Sequence, residues 1–367
     1  MRLGVEAALV DGGLVSGDVE ILDGRIAGFG LASPNGRGIA VPGFVDLQVN
    51  GFAGVDFLTA DTESYRTAGE ALLETGVTAF LPTFITSPEQ QLLAALREVP
   101  AQPNTQPDGP RILGSHLEGP FLSALRLGIH PPAARSNPDE GLLERLLDAG
   151  PVRLVTLAPE LPGASRLIER LVLREIAVSA GHSDATAEQA NEAFDLGVRS
   201  VTHLFNAMRP FHHRDPGIAG AALARPDVIV QLILDWVHVA PVTAAMVWQA
   251  AQGRVALVTD ALSGAGLADG VHRLGGVEVQ ISDGVARGQT GALAGSTLTM
   301  IEAVRNLHSL DVPFEDAVGA ATEVPARVLR LPSLGRIGIG LPADVVVLTE
   351  ELEIERVLVE GRSRVVG

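Results

Sequence analysis

The fold is decided by residues 176–206, which read IAVSAGHSDATAEQANEAFDLGVRSVTHLFN. Two short apolar runs, 176–180 and 198–202, flank a segment that carries Ala, Leu and Glu at helical spacing. This order predicts a strand, a helix and a second strand. Each predicted strand leads into a polar side chain, His182 after the first and His203 after the second. The stretch therefore predicts one unit of an α/β fold with polar groups at its strand ends.

The same alternation extends through most of the chain of 367 residues. Eight candidate strands lie at 43–48, 77–83, 112–116, 153–157, 176–180, 198–202, 228–234 and 254–259. Helical patterns lie between them, for example at 61–75, 87–98, 139–149, 184–196 and 240–252. Eight strands that alternate with helices are typical of a (β/α)8 barrel of roughly 250 residues or somewhat more. The sequence therefore predicts a TIM-like barrel over residues 44–333.

The two ends of the chain have a different pattern. Residues 3–30 and 336–367 consist of short alternating runs separated by Gly-rich turns, a pattern that favours antiparallel β structure. Because both ends share this style, we expect them to pair with each other. They are predicted to form one small β-sandwich domain from residues 1–43 and 334–367.

The composition excludes several kinds of chemistry. The chain carries 27 basic and 44 acidic residues, a formal charge of −17, which excludes a basic nucleic-acid surface. Every basic residue is Arg, so Schiff-base chemistry, a P-loop lysine and a carbamylated-lysine metal bridge are impossible. There is no Cys, which excludes a thiolate nucleophile and a Cys-type zinc site. His, Asp, Glu, Ser and a bound metal or cofactor remain.

No stretch of the sequence predicts a membrane span or a leader. The most apolar region, 228–258, is interrupted by polar residues such as Asp235 and Arg254. The first residues reach Glu6 before any apolar run long enough for a signal peptide. We therefore expect a cytoplasmic protein.

Polar residues follow most of the predicted strands, at the end of a barrel where active sites lie. They are Gln48, Asn50, His116, Glu118, His182, His203, Asp235, His238 and Asp260. Among them, Glu118, His182 and His203 offer one carboxylate and two imidazoles from three neighbouring sectors. Three protein ligands of this kind, with a further position open to water, are typical of a catalytic metal site. The alternative for each residue alone is a hydrogen-bonded polar group at a strand end.

Asp260 ends the apolar run 254–259, where an unpartnered carboxylate would cost several kcal/mol. Beside water activated by a metal, it would act as a general base and later return the proton to a leaving group. The alternative is a cap for a helix that begins at Ser263 or beyond.

Several motifs along nearly the whole chain together resemble one known family. They are PGFVD at 42–46, HLEGPF at 116–121, GHSDAT at 181–186, THLFNAM at 202–208, TDA at 259–261 and LAGS at 293–296. In this order they resemble the N-acetylglucosamine-6-phosphate deacetylases of the amidohydrolase superfamily. The resemblance implies that Glu118, His182 and His203 hold a metal and that Asp260 is the catalytic acid and base. It also implies that His130 faces the amide carbonyl and supports its developing negative charge.

The resemblance implies a metal-dependent hydrolase that converts N-acetylglucosamine 6-phosphate to glucosamine 6-phosphate and acetate. Many amidohydrolases carry His-x-His on the first strand for a second metal, whereas this chain has Gln48-Val49-Asn50. Amides are weak ligands, so we expect one divalent ion per chain, zinc, with iron, cobalt or manganese as alternatives.

The resemblance also guides the prediction of the substrate contacts. They are expected at Gln48, Asn50, Ile129, His130, Asn206, Ala207, Arg214, Asp235, His238, Leu293, Ala294 and Gly295. Arg214 and His238 would meet the phosphate, although the loop that contains Arg214 alone would suggest a solvated surface. Family members are usually homodimers in which the neighbouring chain supplies a phosphate contact, so we expect a homodimer with a shared active site. Trp236 stands where the family usually has Gly, and its indole is expected to narrow or reshape the pocket.

Three other functions compete with this prediction. The substrate could be N-acetylgalactosamine 6-phosphate or another N-acyl amino-sugar phosphate. A catalytically silent barrel that binds sugar phosphates is a second alternative, which the complete set of Glu118, His182, His203 and Asp260 disfavours. A cyclic-amide hydrolase of the dihydroorotase type is disfavoured because it resembles a binuclear site with carbamylated lysine, and this chain has no lysine.

Overall fold

The computed structural model describes residues 1–100 and 109–365. Residues 101–108 and 366–367, which the predicted domain ranges include, lie outside the described residues. Five strands open the chain: β1 (Ala7–Val10), β2 (Gly13–Ser16), β3 (Asp18–Leu22), β4 (Arg25–Leu31) and β5 (Ile39–Pro42).

Eight parallel strands form a nearly closed barrel. The strands of this region are β6 (Phe44–Val49), β7 (Gly51–Phe52), β8 (Val55–Asp56), β9 (Val77–Ile85), β10 (Arg111–Ile112), β11 (Ser115–Glu118), β12 (Val152–Leu157), β13 (Ala177–Ala180), β14 (Ser200–Val201), β15 (Ile229–Leu232) and β16 (Val255–Leu257). They pair in the order β6-β9-β11-β12-β13-β14-β15-β16, with the short β10 on β9 and with β7 and β8 as a separate hairpin. All eight predicted strands are confirmed, which confirms the TIM-like barrel.

Helices cover the outside of this barrel and continue after it. They are α1 (Thr62–Glu74), α2 (Glu89–Glu98), α3 (Glu140–Ala149), α4 (Ala164–Leu173), α5 (Ala187–Asp195), α6 (Gly217–Ala224), α7 (Pro241–Ala250), α8 (Met300–His308), α9 (Phe314–Ala321) and α10 (Glu323–Val328), with 3-10 helices at Phe57–Thr59 and Pro132–Ala134. The sequence sets their ends: α5 begins at a capping box between Thr186 and Gln189, and Gly197 with φ 115° follows its last turn. The predicted helices are thus confirmed, with ends shifted by a few residues.

The barrel strands are buried on both faces. All nine residues of β9, which read VTAFLPTFI, are buried, as expected for a parallel strand between an inner core and outer helices. One apolar cluster fills this space and includes Phe44, Phe57, Phe80, Phe84 and Phe194. This packing holds the barrel strands, and therefore the residues at their ends, in fixed positions.

The rest of the chain forms one small sheet at the barrel rim and then returns to the first strands. The remaining strands are β17 (Gly270–Leu274), β18 (Val277–Ser282), β19 (Val285–Gly288), β20 (Val345–Leu348), β21 (Ile354–Val359) and β22 (Arg362–Val365). β17, β18 and β19 form an antiparallel sheet, and a six-stranded sheet joins both chain ends in the order β2-β1-β5-β20-β21-β22. A separate apolar cluster lies between this sheet and the β3–β4 hairpin.

The small domain built from both termini is thus confirmed, with one difference from the expected antiparallel pairing. β1 and β5 run parallel, since a long connection through β2, β3 and β4 separates them. The domain boundaries at residues 43 and 334 stay a prediction.

Within the described ranges, every helix is too short or too polar to cross a lipid bilayer.

Candidate active site

Three side chains that could hold a metal meet at the carboxyl ends of three barrel strands. Glu118 ends β11, His182 follows β13 and His203 follows β14. Glu118 Oε1 lies 3.1 Å from His182 Nε2 and 2.9 Å from His203 Nε2, and the two imidazole nitrogens are 3.1 Å apart. Ligand atoms about 2.1 Å from one first-row dication lie roughly 3.0–3.4 Å apart, depending on the angle between them. The three atoms therefore fit around a single cation.

The hydrogen bond on the far side of His182 leaves its Nε2 free to bind a metal. His182 Nδ1 lies 2.9 Å from the main-chain oxygen of Arg126, and a carbonyl can only accept, so the proton is on Nδ1. The lone pair of Nε2 then points toward Glu118 and His203. Metal-binding histidines are usually fixed in this way by a second partner.

The charges of the three groups also suit a cation. Burial opposes ionisation of Glu118, but its close contacts with the imidazoles of His130, His182 and His203 hold its pKa well below the usual range. Burial lowers the pKa of His182 to about 4, so this imidazole is neutral at neutral pH. Burial acts in the same direction on His203, but the hydrogen bond and charge of Glu118 raise its pKa above the usual value. An ionised carboxylate and an imidazole lone pair are the ligands that a first-row dication accepts.

His130 lies beside this group but is arranged as a hydrogen-bond donor. Glu118, His130 and His182 have ligand atoms within 4.8 Å of one another, so distance alone would admit His130 as a ligand. However, the main-chain N–H of Thr86 donates to His130 Nδ1 at 3.2 Å, which leaves the proton of the neutral ring on Nε2. His130 Nε2 lies 3.5 Å from Glu118 Oε2, further than the histidine contacts to Oε1. We therefore favour His203 over His130 as the third ligand.

Asp260, which follows β16, faces the same centre. Its Oδ1 accepts a 2.7 Å hydrogen bond from Asn50 Nδ2. Gln48, which lies in β6 two residues before Asn50, donates from Nε2 to Glu118 Oε1 at 2.9 Å. Burial, followed by the negative charge of Glu118, raises the pKa of Asp260 to about 7. A carboxyl group with such a pKa can exchange a proton near neutral pH.

The main chain turns sharply at three of these residues. His182, His203 and Asp260 have φ angles of 48°, 29° and 51°, in the left-handed region that residues other than Gly rarely adopt. Such strain is often found at functional sites. Each of the three residues follows a strand directly or within three positions, so these turns lie at the barrel rim.

A cavity of about 240 Å³ opens above these groups. Its wall includes Glu118, His130, His182, His203 and Asp260. Of the expected substrate contacts, it also includes Ile129, Asn206, Ala207, His238, Leu293 and Gly295. The small sheet β17–β19 supplies Leu274 to one side, where it packs in an apolar cluster with Ile85. The cavity thus combines a charged floor with apolar walls, as small-molecule sites commonly do.

Five expected substrate contacts do not line this cavity: the exposed Arg214 and four buried or half-buried residues. Gln48 and Asn50 lie beneath it, where their amide groups bind the two acids. Asp235 lies behind His238, whose Nδ1 is 2.7 Å from Asp235 Oδ2. Ala294 is fully buried and contributes no surface. Gln48, Asn50 and Asp235 support the site from behind, because the amide N–H groups of the first two and the carboxylate of the third already bind protein neighbours.

Arg214 and Trp236 also lie outside the cavity wall. Arg214 is exposed, and its guanidinium contacts His213 Nε2 at 2.9 Å. Within the part of the chain that the structure describes, the basic residue types at the wall are histidines, and no Arg lines it. Trp236 has a φ of 64°, which explains why Gly is usual there, and its indole packs partly against the barrel core. The structure thus gives no support to the expectation that Trp236 narrows the pocket.

Sequence reasoning missed residues that hold the site together. Thr86 fixes the tautomer of His130, and its hydroxyl donates to the main-chain oxygen of Glu118 at 3.3 Å. The main-chain oxygen of Arg126 accepts the hydrogen bond from His182 Nδ1, and the Arg126 guanidinium pairs with Asp184 at 2.6 Å. A signal existed for Thr86, since it is a polar residue directly after an apolar strand. The predicted strand ended at residue 83, whereas β9 continues to Ile85.

Comparisons with known proteins agree with this geometry. Residues 39–364 match the model of the amidohydrolase family. The chain is 37% identical over 335 residues to the N-acetylglucosamine-6-phosphate deacetylase of Vibrio furnissii, covering 90% of this chain and 84% of the relative. It is 36% identical over 325 residues to the N-acetylgalactosamine-6-phosphate deacetylase of Escherichia coli, covering 88% of this chain and 86% of that protein.

A solved structure shows the same fold over almost the whole length. It is a mutant of N-acetyl-D-glucosamine-6-phosphate deacetylase from Mycobacterium smegmatis in complex with N-acetyl-D-glucosamine-6-phosphate. The TM-score is 0.93 at 36% identity, covering 99% of this chain and 98% of that chain. The protein therefore belongs to the amidohydrolase family and, within it, to the group of the N-acetylglucosamine-6-phosphate deacetylases.

Proposed function

We propose that this enzyme hydrolyses the acetamide of N-acetylglucosamine 6-phosphate to glucosamine 6-phosphate and acetate. One observation carries the proposal: a possible metal-binding set, a hydrogen-bond donor and a carboxylate base all face one cavity. Several relatives that match most of this chain are named N-acetylglucosamine-6-phosphate deacetylases. Each group matches one need of amide hydrolysis, namely an activated carbonyl, a stabilised oxyanion and a proton carrier.

Membership of the amidohydrolase family implies a divalent metal ion, and the donor set fits one. Glu118, His182 and His203 would hold it. When bound, the metal would polarise the acetyl carbonyl and lower the pKa of water in the cavity. Zinc suits one carboxylate and two imidazoles, and iron, cobalt or manganese would suit them as well. We propose a single ion per chain.

The protein side chains would carry out the remaining steps. Asp260 takes a proton from the attacking water, whose oxygen forms the new bond to the acetyl carbon. The Nε2–H of His130 points toward the same space and stabilises the negative charge on the acetyl oxygen. As the carbon–nitrogen bond breaks, Asp260 gives its proton to the departing amine, so that water and amide yield acetate and amino sugar. The Asn50 amide keeps Asp260 aimed into the cavity throughout.

An assay of acetate release tests the reaction and the epimer together. The galactosamine isomer is the second candidate, because the Escherichia coli relative named for it is nearly as similar as the Vibrio furnissii relative. The purified enzyme should release acetate from N-acetylglucosamine 6-phosphate with a higher kcat/KM than from the galactosamine isomer or from other N-acyl hexosamine phosphates. A preference for the galactosamine isomer would support the second candidate. No release from any of these compounds by metal-loaded enzyme would refute both and favour a sugar-phosphate-binding protein without activity.

We further propose a homodimer in which Arg214 of one subunit reaches the phosphate end of the other site, next to His238. Two features support it. Phe211, Val242 and Met246 are apolar side chains that are 52%, 75% and 65% exposed, and Phe211 lies in the same loop as Arg214. In addition, a protein with a net charge of −17 needs local cations to bind a phosphate, and Arg suits bidentate contact.

Mixing two variants, each impaired at a different group, distinguishes a shared site from a self-contained one. An Arg214→Ala dimer lacks the phosphate contact in both sites, and an Asp260→Asn dimer lacks the base in both sites. If Arg214 acts across the interface, a mixed dimer regains one complete site, and activity should return after subunit exchange. If Arg214 acts within its own chain, mixing restores nothing. Light scattering on the same samples reports whether the protein is a dimer. The cytoplasmic location stays a prediction.

A further inference from the structure

The barrel contains a buried carboxylate that the proposed mechanism does not use. Asp46 lies in β6 and is fully buried. Its Oδ2 accepts a 2.6 Å hydrogen bond from Thr259 Oγ1, and its Oδ1 accepts from the main-chain N–H of Gln48 at 3.1 Å and of Thr259 at 3.3 Å. Burial raises the pKa of Asp46 to about 7, although these bonds oppose the rise. All three donors are neutral groups. The hydrogen bonds that they make therefore offset the cost of burying the Asp46 carboxylate, which has no cationic partner among them.

Asp46 lies at the seam where the barrel closes. In the described ranges, β6 pairs with β9 and β16 pairs with β15, but no ladder joins β6 to β16. The two ends meet instead through single contacts above these strands. The Asp260 N–H donates to the Gln48 oxygen at 2.9 Å, and the Asn50 N–H donates to the Ala261 oxygen at 2.8 Å. Asp46 adds a side-chain connection just below, between β6 and Thr259.

This connection reaches both neighbours of Asp260 in the chain. The hydroxyl of Thr259 donates to Asp46 and accepts the N–H of Ala261 at 3.2 Å. Asp260 itself has a φ of 51°, and its carbonyl accepts from the Ser296 N–H at 2.8 Å. A left-handed backbone at a residue other than Gly persists only where the surroundings fix it. The Asp46–Thr259 bond supplies part of that support.

We propose that Asp46 is a positioning residue that acts through Thr259 to hold Asp260 in its strained, inward-facing conformation. The proposal rests on the role of Asp260 in the proposed function. It assigns no substrate or metal contact to Asp46, which lies beneath the cavity wall.

Two single variants and their combination test this route. Asp46→Ala removes all three accepted hydrogen bonds, and Thr259→Val removes the hydroxyl on the other side. A displacement of about 1 Å at a catalytic group can cost on the order of 100-fold in rate, so each variant should lower kcat by about 10- to 100-fold. KM and the affinity for the divalent metal should stay within a few-fold of wild type. If both act through one contact, the double variant should be no slower than the slower single variant.

Two controls separate positioning from general destabilisation. Asp46→Asn keeps an oxygen for the main-chain donors and a polar partner for Thr259, so it should restore most of the lost kcat. Val77→Ala removes buried carbon atoms from the first residue of β9, at the end of the strand away from the rim. It should lower Tm but leave kcat per folded molecule unchanged. A kcat loss in Asp46→Ala that merely follows the loss of folded protein, as in Val77→Ala, would overturn the proposal.

A crystal structure of Asp46→Ala decides the proposal independently of activity. We expect the Thr259 hydroxyl to rotate and the Asp260 carboxylate to move from its wild-type position or to occupy several positions. An Asp260 carboxylate that stays in place would overturn the positioning role, even if the enzyme is active. Conversely, wild-type enzyme that releases no acetate would refute the proposed function, while the crystal structures would still decide whether Asp46 positions Asp260.

Discussion

Replacing Asn50 by Leu should shift the pH dependence of kcat/KM, so that activity is lost on acidification at a higher pH than in the wild type. This acidic limb of the profile reports the pKa of Asp260. Asn50 Nδ2 donates to Asp260 Oδ1 at 2.7 Å, and both side chains are buried. A hydrogen bond to a charged group contributes about 1.5–3 kcal/mol. This bond favours the ionised form of Asp260, and about 1.36 kcal/mol corresponds to one pKa unit. Its loss should therefore raise the pKa of Asp260 by roughly 1–2 units.

The sign follows from the role of Asp260 as a base. A general base acts only when it is deprotonated, so a higher pKa makes the activity disappear at a higher pH as the solution is acidified. Well below the limb, the variant should lose an additional factor of about 10–100 in kcat/KM, and the gap should narrow toward the alkaline plateau. The assay is acetate release measured from about pH 5 to about pH 10, which spans the range in which such a base titrates.

Gln48→Leu is the matched control, since it removes the other buried amide side chain that donates to an acid of the site. Its Nε2 donates to Glu118 Oε1 at 2.9 Å and not to Asp260. This variant should weaken metal binding and leave the acidic limb in place. The reasoning is wrong if Asn50→Leu has the wild-type limb, or if both variants move it equally.

Four further predictions concern the metal, the base, the phosphate contact and the indole. Elemental analysis should find one divalent ion per chain, and two tightly held ions that turnover requires would contradict this. Asp260→Asn should keep the fold and the metal but lower kcat by roughly 100- to 10,000-fold, whereas complete loss of metal would make Asp260 chiefly a ligand. Arg214→Ala should lower kcat/KM about 10- to 100-fold for the phosphorylated sugar, and an equal loss for the unphosphorylated sugar would refute the phosphate contact. Trp236→Gly should leave the choice of sugar unchanged, because the indole lies outside the cavity wall, and a broadened choice in the substrate panel would contradict this.

The barrel could be predicted because each strand is a short apolar run that ends in a polar residue. Glu118, His182 and His203 follow such runs directly or within two positions, so the barrel geometry alone predicted that they meet. Their separation in the structure, about one ligand spacing, matches that prediction. The pattern of apolar runs predicts that these side chains meet, because parallel strands in a barrel all end at one rim.

Other parts of the site could not be predicted from the pattern. His130 lies in a long loop without periodicity, so only the family resemblance pointed to it. Its tautomer depends on the N–H of Thr86, which comes from a different strand end. The left-handed backbone at His182, His203 and Asp260 results from tertiary contacts, and residue type alone would have argued against it.

The first barrel strand explains why amides can replace histidines in this enzyme. Asp46, Gln48 and Asn50 occupy alternate positions at the end of β6 and just after it, and all three side chains are buried. Gln48 and Asn50 present N–H groups to Glu118 and Asp260, the two acids of the site. A second cation near these acids would have to displace both donors, and it would gain only weak amide oxygens as ligands. The same two hydrogen bonds that hold the acids in place therefore disfavour a second metal, which is why a single ion and a well-oriented base are expected together.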